Sequence, residues 1–187
     1  MKNVTFCGQA TLPAIGQGTW YMGERADHRQ HEISALRMGL DLGLRLIDTA
    51  EMYAEGGAEK VVGEALAGRR DEAFLVSKVY PWNAGGQKIV AACEGSLRRL
   101  KTDYLDLYLL HWAGSFSFEE TVEGMERLIA QGKIRRWGSL ILIMTICRRC
   151  GASRGDSNAR QIRYSIIWRH AVLSMIYCRG VNNSGCQ

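Results

Sequence analysis

The chain has 187 residues, enough for one ordinary core and too few for two comfortable domains. Its formal charge of +5 is unevenly spread: residues 1–138 carry 17 Lys or Arg against 18 Asp or Glu, whereas residues 139–187 carry seven Arg, no Lys and one acid, Asp156. The overall basicity is therefore not a property of one folded surface and does not argue for a nucleic-acid partner. No apolar run approaches the roughly 18 residues of a spanning helix, and the opening MKNVTFCGQA lacks the apolar stretch of a secretory signal. The expectation is a soluble, cytoplasmic chain with no membrane partner. Cys7 and Cys93 lie in the long first part, while Cys147, Cys150, Cys178 and Cys186 crowd the end. Without a secretion signal they are not read as a disulfide framework.

From residue 12 the pattern alternates. LPAIGQGTW is a short apolar run with glycines, and HEISALRMGLDLG is a helix pattern that puts Ile33, Leu36 and Leu40 close to one face and ends at a glycine. LRLIDTA reads as a buried strand with a polar exit, AEKVVGEALAG as a helix stopping at Gly68, and AFLVSKV as a strand. KIVAACEGSLRRLKT is a helix with Ile89, Cys93, Leu97 and Leu100 on one stripe, followed by the strand YLDLYLLHW. FEETVEGMERLIAQGK is entered through acidic residues, as the helix dipole prefers, and left through Gly132 and Lys133. KIRRWG begins a fifth strand.

Strand positions recur about every 30 residues, the length of a βα unit. Alternation alone does not separate a closed barrel from an open doubly wound sheet. The polar residues do: Asp48, Lys78 and His111 each stand at the C-terminal end of a different strand, the rim where barrel enzymes keep their chemistry. GQGTWYMG supplies only GxG with no helix directly after it, so a dinucleotide fingerprint is poorly supported.

Asp48, Tyr53, Lys78 and His111 form a chemically coherent set. A tyrosine is a weak proton donor at neutral pH, and a neighbouring ammonium favours its phenolate; Lys78 is expected to lower the pKa of Tyr53 in this way. A buried lysine needs a carboxylate to stay charged, which gives Asp48 its place. His111 can donate a hydrogen bond to a carbonyl oxygen where charge develops. The set suits carbonyl reduction, with hydride reaching carbon from a nicotinamide and Tyr53 delivering a proton to oxygen. Each residue alone has an ordinary structural explanation, as a loop cap, a rim or core aromatic, a solvated strand end or a satisfied core histidine. Trp20, Trp82 and Trp112 also fall at strand ends, either as apolar plugs or as an aromatic wall around a substrate carbonyl. Gly16 and Gly18 form either an ordinary turn or a place where backbone comes close to a ligand.

These segments resemble the aldo-keto reductase superfamily, in its bacterial NAD(P)H-dependent form, over residues 5–138. LIDTAEMYAEGGAEKVVG matches its motif at Asp48, Thr49, Ala50, Tyr53, Gly56, Glu59 and Gly63; SKVYPWN places Lys78, and LDLYLLHW places His111 and Trp112. GMERLIAQGKIRRWG resembles the approach to the fifth strand. Ala54 stands where a glycine is usual and Ala58 where a serine is usual. The resemblance implies a (β/α)8 TIM barrel and a catalytic tetrad of Asp48, Tyr53, Lys78 and His111. It implies NADPH, with NADH as the alternative, contacted by Gly18, Thr19, Trp20 and Asp48. It also implies a small-molecule carbonyl substrate walled by Trp20, Trp82 and Trp112, and no metal. Intact members are often monomeric.

After Gly138 that family continues with valine or isoleucine, serine and asparagine, whereas this chain reads Ser139, Leu140, Ile141, Leu142, Ile143, Met144. A change of reading frame accounts for the break. One base over, codons permitted for GSLILIMTIC encode valine, serine, asparagine, leucine, aspartate, asparagine, aspartate, aspartate and methionine. Family-like sequence continues through the fixed codons of Met144, Trp168 and Met175. On this reading residues 1–138 are the N-terminal half of the barrel, and residues 139–187 are a basic tail outside the family, out of frame and poorly structured. The lone pair Cys147 and Cys150 has no second ligand pair at metal-site spacing, and the Arg-rich tail lacks an aromatic platform for nucleic acid. A chain holding half a barrel is expected to carry its catalytic residues without most of the cofactor site. It is expected to be inactive alone, and to self-associate through its open wall. A non-enzymatic binding protein is the alternative reading.

Overall fold

A computed structural model describes residues 3–6, 10–139, 161–163, 175–177 and 179–180. The remainder of the tail, together with Cys7, Cys147, Cys150, Cys178 and Cys186 and what the sequence leads one to expect of them, lies outside the described residues. The chain opens with an antiparallel pair, β1 (Asn3–Phe6) and β2 (Ala10–Pro13). Four βα repeats follow. They are β3 (Gln17–Gly18) with α1 (Arg29–Asp41), β4 (Leu46–Asp48) with α2 (Gly57–Ala65), β5 (Phe74–Val79) with α3 (Lys88–Leu100), and β6 (Leu107–Leu110) with α4 (Phe118–Ala130). Then come β7 (Arg136–Ser139), β8 (Gln161–Arg163), β9 (Met175–Tyr177) and β10 (Arg179–Gly180).

Strands β3 to β7 are parallel and hydrogen-bonded in sequence order, with Gln17 beside Ile47, Ile47 beside Leu75, Val76 beside Leu107 and Tyr108 beside Trp137. This is the succession of a (β/α)8 barrel wall, with five barrel strands among the described residues. On the far side of β7, β10 runs antiparallel, with Arg179 beside Trp137. That direction is opposite to the one a continuing barrel needs. Strands β8 and β9 form a separate antiparallel pair.

The run 12–20 is not one strand. Leu12 and Pro13 belong to the opening hairpin, and only Gln17 and Gly18 join the parallel sheet. The helices keep the expected positions because their apolar stripes are continuous. Ile33, Leu36 and Leu40 of α1, and Ile89, Cys93, Leu97 and Leu100 of α3, are all buried in one core with Ile47, Leu75, Tyr108 and Trp137 of the sheet. Ser117 and Glu120 form a reciprocal cap at the start of α4. Lys101 closes α3 in the left-handed conformation, with φ 53°. Gly63 lets α2 approach α3 closely, since a Cβ there would sit 2.7 Å from the Arg99 carbonyl oxygen.

Strand alternation sorts the side chains. In β5, Leu75 and Val79 face the helix layer, and so does Ser77, whose hydroxyl reaches Glu59 of α2; Phe74, Val76 and Lys78 therefore face the barrel interior. In β4, Ile47 is on the helix side, and in β6 so are Tyr108 and Leu110. The same alternation turns Asp48 and His111 inward beside Lys78, all at the C-terminal end of the sheet.

Candidate active site

Lys78 organises the site. Only 3% exposed, its ammonium donates to Asp48 Oδ2 at 2.7 Å, to the Thr49 carbonyl at 2.9 Å and to Tyr53 Oη at 3.1 Å. Three acceptors satisfy the three donors of an ammonium. Burial pulls the Lys78 pKa down, but Asp48 and Tyr53 outweigh it and the net direction is upward, so the ammonium stays charged.

For Tyr53 the balance differs from the sequence expectation. Its hydroxyl lies beside the ammonium, and Lys78 does act to lower its pKa, but burial acts more strongly in the other direction and the net shift is upward. The phenol is thus held in its protonated, donating form at neutral pH, and Lys78 limits the cost of its ionisation rather than reversing it.

His111 lies across the pocket, its ring edge-on to Tyr53 with 5.9 Å between centroids. Burial, reinforced by the Lys78 charge, pulls its imidazole down to about 4. It is therefore neutral at physiological pH, and its buried Nδ1 has no hydrogen-bond partner among the described residues. A neutral imidazole with an unused polar atom is suited to meeting a ligand oxygen.

An aromatic rim surrounds these groups. Trp20, 52% exposed, stacks on Tyr53 at 5.5 Å. His111 packs on Trp112 at 4.6 Å, and Trp112 meets Trp82 edge-on at 6.0 Å. Trp82, also exposed, stacks on Tyr80 at 4.5 Å. The four polar residues and the three tryptophans of the sequence reading thus meet at one end of the sheet. Thr19 takes a different position from its neighbours: it is fully buried, and both its backbone N–H and its hydroxyl donate to the Asp48 carbonyl at 3.1 Å. It braces the strand end that carries Asp48.

The model of the aldo/keto reductase family matches residues 14–173. The chain belongs to that family. It is 74% identical over 137 residues to methylglyoxal reductase YeaE of Escherichia coli K12, covering 73% of this chain and 48% of that protein. It is 40% identical over 138 residues to aldo-keto reductase YhdN of Bacillus subtilis, covering 66% of this chain and 42% of that one. Among solved structures it is similar to an aldo/keto reductase from Klebsiella pneumoniae in complex with NADP and acetate, at 59% identity and TM-score 0.78, covering 82% of this chain and 54% of that one. The chain spans about half the length of the curated relatives it matches.

Within this aldo/keto reductase framework, two acids stand out: Glu59, which the motif match includes without giving it a role, and Glu51, which residue spacing does not single out. Glu59, in the first turn of α2, is fully buried and accepts from Ser77 Oγ at 2.7 Å and Arg99 Nε at 2.6 Å, tying α2 to both β5 and α3. Glu51, between Asp48 and Tyr53, accepts from the Tyr80 backbone N–H at 2.6 Å and from Asn83 Nδ2 at 3.2 Å. Partial burial pushes its carboxyl above the usual range. A lone glutamate in a loop carries no periodic signal, so only the fold reveals its partners. Among the described residues no group of His, Cys, Asp and Glu is arranged to hold a metal, and no helix is long and apolar enough to cross a membrane.

Proposed function

We propose that this site reduces aldehydes or ketones to alcohols with NADPH, Tyr53 acting as the general acid. The observation that carries the reading is the ammonium of Lys78 bonded at once to Asp48 and to the Tyr53 hydroxyl. Several relatives named as methylglyoxal or glyoxal reductases favour a small 2-oxoaldehyde as substrate.

The residues present fit a nicotinamide. Asp48 Oδ2 is taken by Lys78, and the carboxylate remains partly exposed beside the half-buried Gly18 and the exposed Trp20. These groups would hold the ring and an adjoining hydroxyl, with Thr19 bracing them from behind. The cofactor when bound supplies a hydride to the carbonyl carbon. Tyr53 passes its proton from Oη to the carbonyl oxygen, and Lys78, 3.1 Å away, donates to the phenolate left behind. Asp48 keeps Lys78 charged throughout. His111, neutral, orients the carbonyl oxygen through a hydrogen bond, and the tryptophans exclude water.

A second reading concerns the chain taken alone. The described parallel sheet has five of the eight strands of a closed barrel, and its β7 edge carries the antiparallel β10. Under this reading the 187-residue chain keeps the proton-donating site without holding the cofactor firmly enough for turnover, and the tail after Gly138 is out of frame.

Both readings are tested by NADPH oxidation with methylglyoxal. Residues 1–138 fused to the remaining half of the YeaE protein should turn over, with Tyr53→Phe reducing the rate at least about 100-fold. A folded but inactive fusion overturns the proposed function. The chain alone should show no appreciable turnover; activity abolished by Tyr53→Phe overturns the second reading. The nucleotide sequence around codon 138 tests the frame directly, since the account fails if no alternative frame carries barrel sequence.

A further inference from the structure

The backbone ladder between β4 and β5 does not stop at the strand ends. Thr49 N–H donates to the Val76 carbonyl at 2.9 Å, and Glu51 N–H to the Lys78 carbonyl at 3.4 Å. One rung further the two chains diverge, and the next donor on the β5 side, the Tyr80 N–H, would have no backbone acceptor. The Glu51 carboxylate takes that place, and the same oxygen also accepts from Asn83 Nδ2. Tyr80 and Asn83 bracket the short turn Pro81–Asn83, which itself closes through a bond from Asn83 N–H to the Tyr80 carbonyl at 3.0 Å. Trp82 sits at the centre of that turn, stacked on Tyr80 and edge-on to Trp112.

One side chain thus grips both ends of the turn that presents the exposed indole, and it grips them from the loop that carries Tyr53 two residues later. We propose that Glu51 is a specificity-determining positioning residue: its carboxylate sets where the Trp82 wall stands relative to the Tyr53 hydroxyl, and so extends the site from small 2-oxoaldehydes to carbonyl substrates with a flat apolar group. This rests on the carbonyl-reducing reading of the site. Glu51 touches neither the Lys78 ammonium nor the Tyr53 hydroxyl, so its role is one of placement. Both bonds fall on a single oxygen that only has to accept. A glutamine retains such an oxygen and an alanine does not.

The test compares the full chain with Glu51→Gln and Glu51→Ala. Amide exchange at Tyr80 and the Trp82 indole resonance report on the turn, and quenching of tryptophan fluorescence by benzaldehyde and by methylglyoxal reports on binding. In Glu51→Ala, exchange at Tyr80 should accelerate at least tenfold and the Trp82 resonance should shift. Benzaldehyde affinity should fall about tenfold while methylglyoxal affinity changes less than twofold. Glu51→Gln should restore all three to within about twofold. The inference is overturned if Tyr80 exchange is unchanged in Glu51→Ala, if both aldehydes weaken equally, or if Glu51→Gln behaves as Glu51→Ala. If the unaltered chain binds neither aldehyde, the selectivity assigned to Glu51 fails, while the exchange and indole measurements still decide whether Glu51 holds the turn; the carbonyl-reducing reading is decided separately, by turnover of the fusion.

Discussion

Replacing Lys78 by methionine removes an ammonium while keeping most of its volume, and the structure fixes what is left behind. The Asp48 carboxylate, with 14% of its side chain exposed, loses its partner at 2.7 Å, and the Thr49 carbonyl and Tyr53 hydroxyl each lose a donor. At an effective dielectric of about 20, charges at that separation attract by roughly 6 kcal/mol, and desolvation of the pair offsets much of it. What a single substitution exposes is the uncompensated partner, which costs about 3–5 kcal/mol. Lys78→Met and Asp48→Asn should each destabilise the chain by that amount in urea unfolding followed by tryptophan fluorescence. The double variant should lose at least about 2 kcal/mol less than the sum, because neither charge is then stranded. Additive losses, or single losses below about 1 kcal/mol as for an exposed ion pair, would refute the reasoning. Lys78→Met should also push the Tyr53 phenol still higher in a UV titration, since Lys78 is the group that lowers it.

Three further outcomes follow from local geometry. The His111 imidazole is held at about 4 against an ordinary 6.5, so below pH 6.5 the unfolded chain takes up the proton first. Stability should fall between pH 6.5 and 4 and level off beneath; the ceiling of about 3 kcal/mol becomes about 1–2 kcal/mol once partial solvent access is allowed for, and His111→Gln should abolish this component of the unfolding profile. Ala54 adopts φ 50°, so Ala54→Gly should stabilise by about 0.5–1 kcal/mol, relief of left-handed strain exceeding the added chain entropy; a lower denaturation midpoint would contradict this. Cys93 is fully buried with its thiol pushed up to about 12, and peptide mapping should find it unmodified by a thiol reagent in the native state and labelled only on unfolding.

What could be read directly from residues was whatever repeats or ends an element. The stripe Ile89, Cys93, Leu97, Leu100 has a helical period and is buried as a unit. Asp48, Lys78 and His111 mark strand exits because they interrupt apolar runs at matching places, and the sheet then brings them to one side. The opening hairpin was illegible because Pro13 and Gln17 are only a few residues apart and their apolar run is continuous. The direction of the Tyr53 shift was also beyond the sequence. Proximity to Lys78 could be anticipated, but the opposing burial depends on how the fold packs Tyr53 with Ala50, Ala58, Met22 and Met52. Glu51 and Glu59 find their partners 18 to 40 residues away, a separation no local pattern encodes.

Every hydrogen bond of the Lys78 ammonium goes to the last residue of β4 or the segment following it, and His111 reaches the same pocket from the end of β6, so these groups belong to three adjacent strands and the loops that leave them. Barrel closure is not needed to bring them together, because parallel pairing of neighbours already does so. Holding a dinucleotide and excluding water from its ring make demands on a larger circumference. Under the proposed function, acid strength and carbonyl turnover are therefore separable: the Lys78 and Asp48 coupling and the His111 titration should survive intact in a protein whose reductase activity is absent. If instead both signatures are lost whenever turnover is lost, the pocket is assembled by the whole barrel rather than by its first strands.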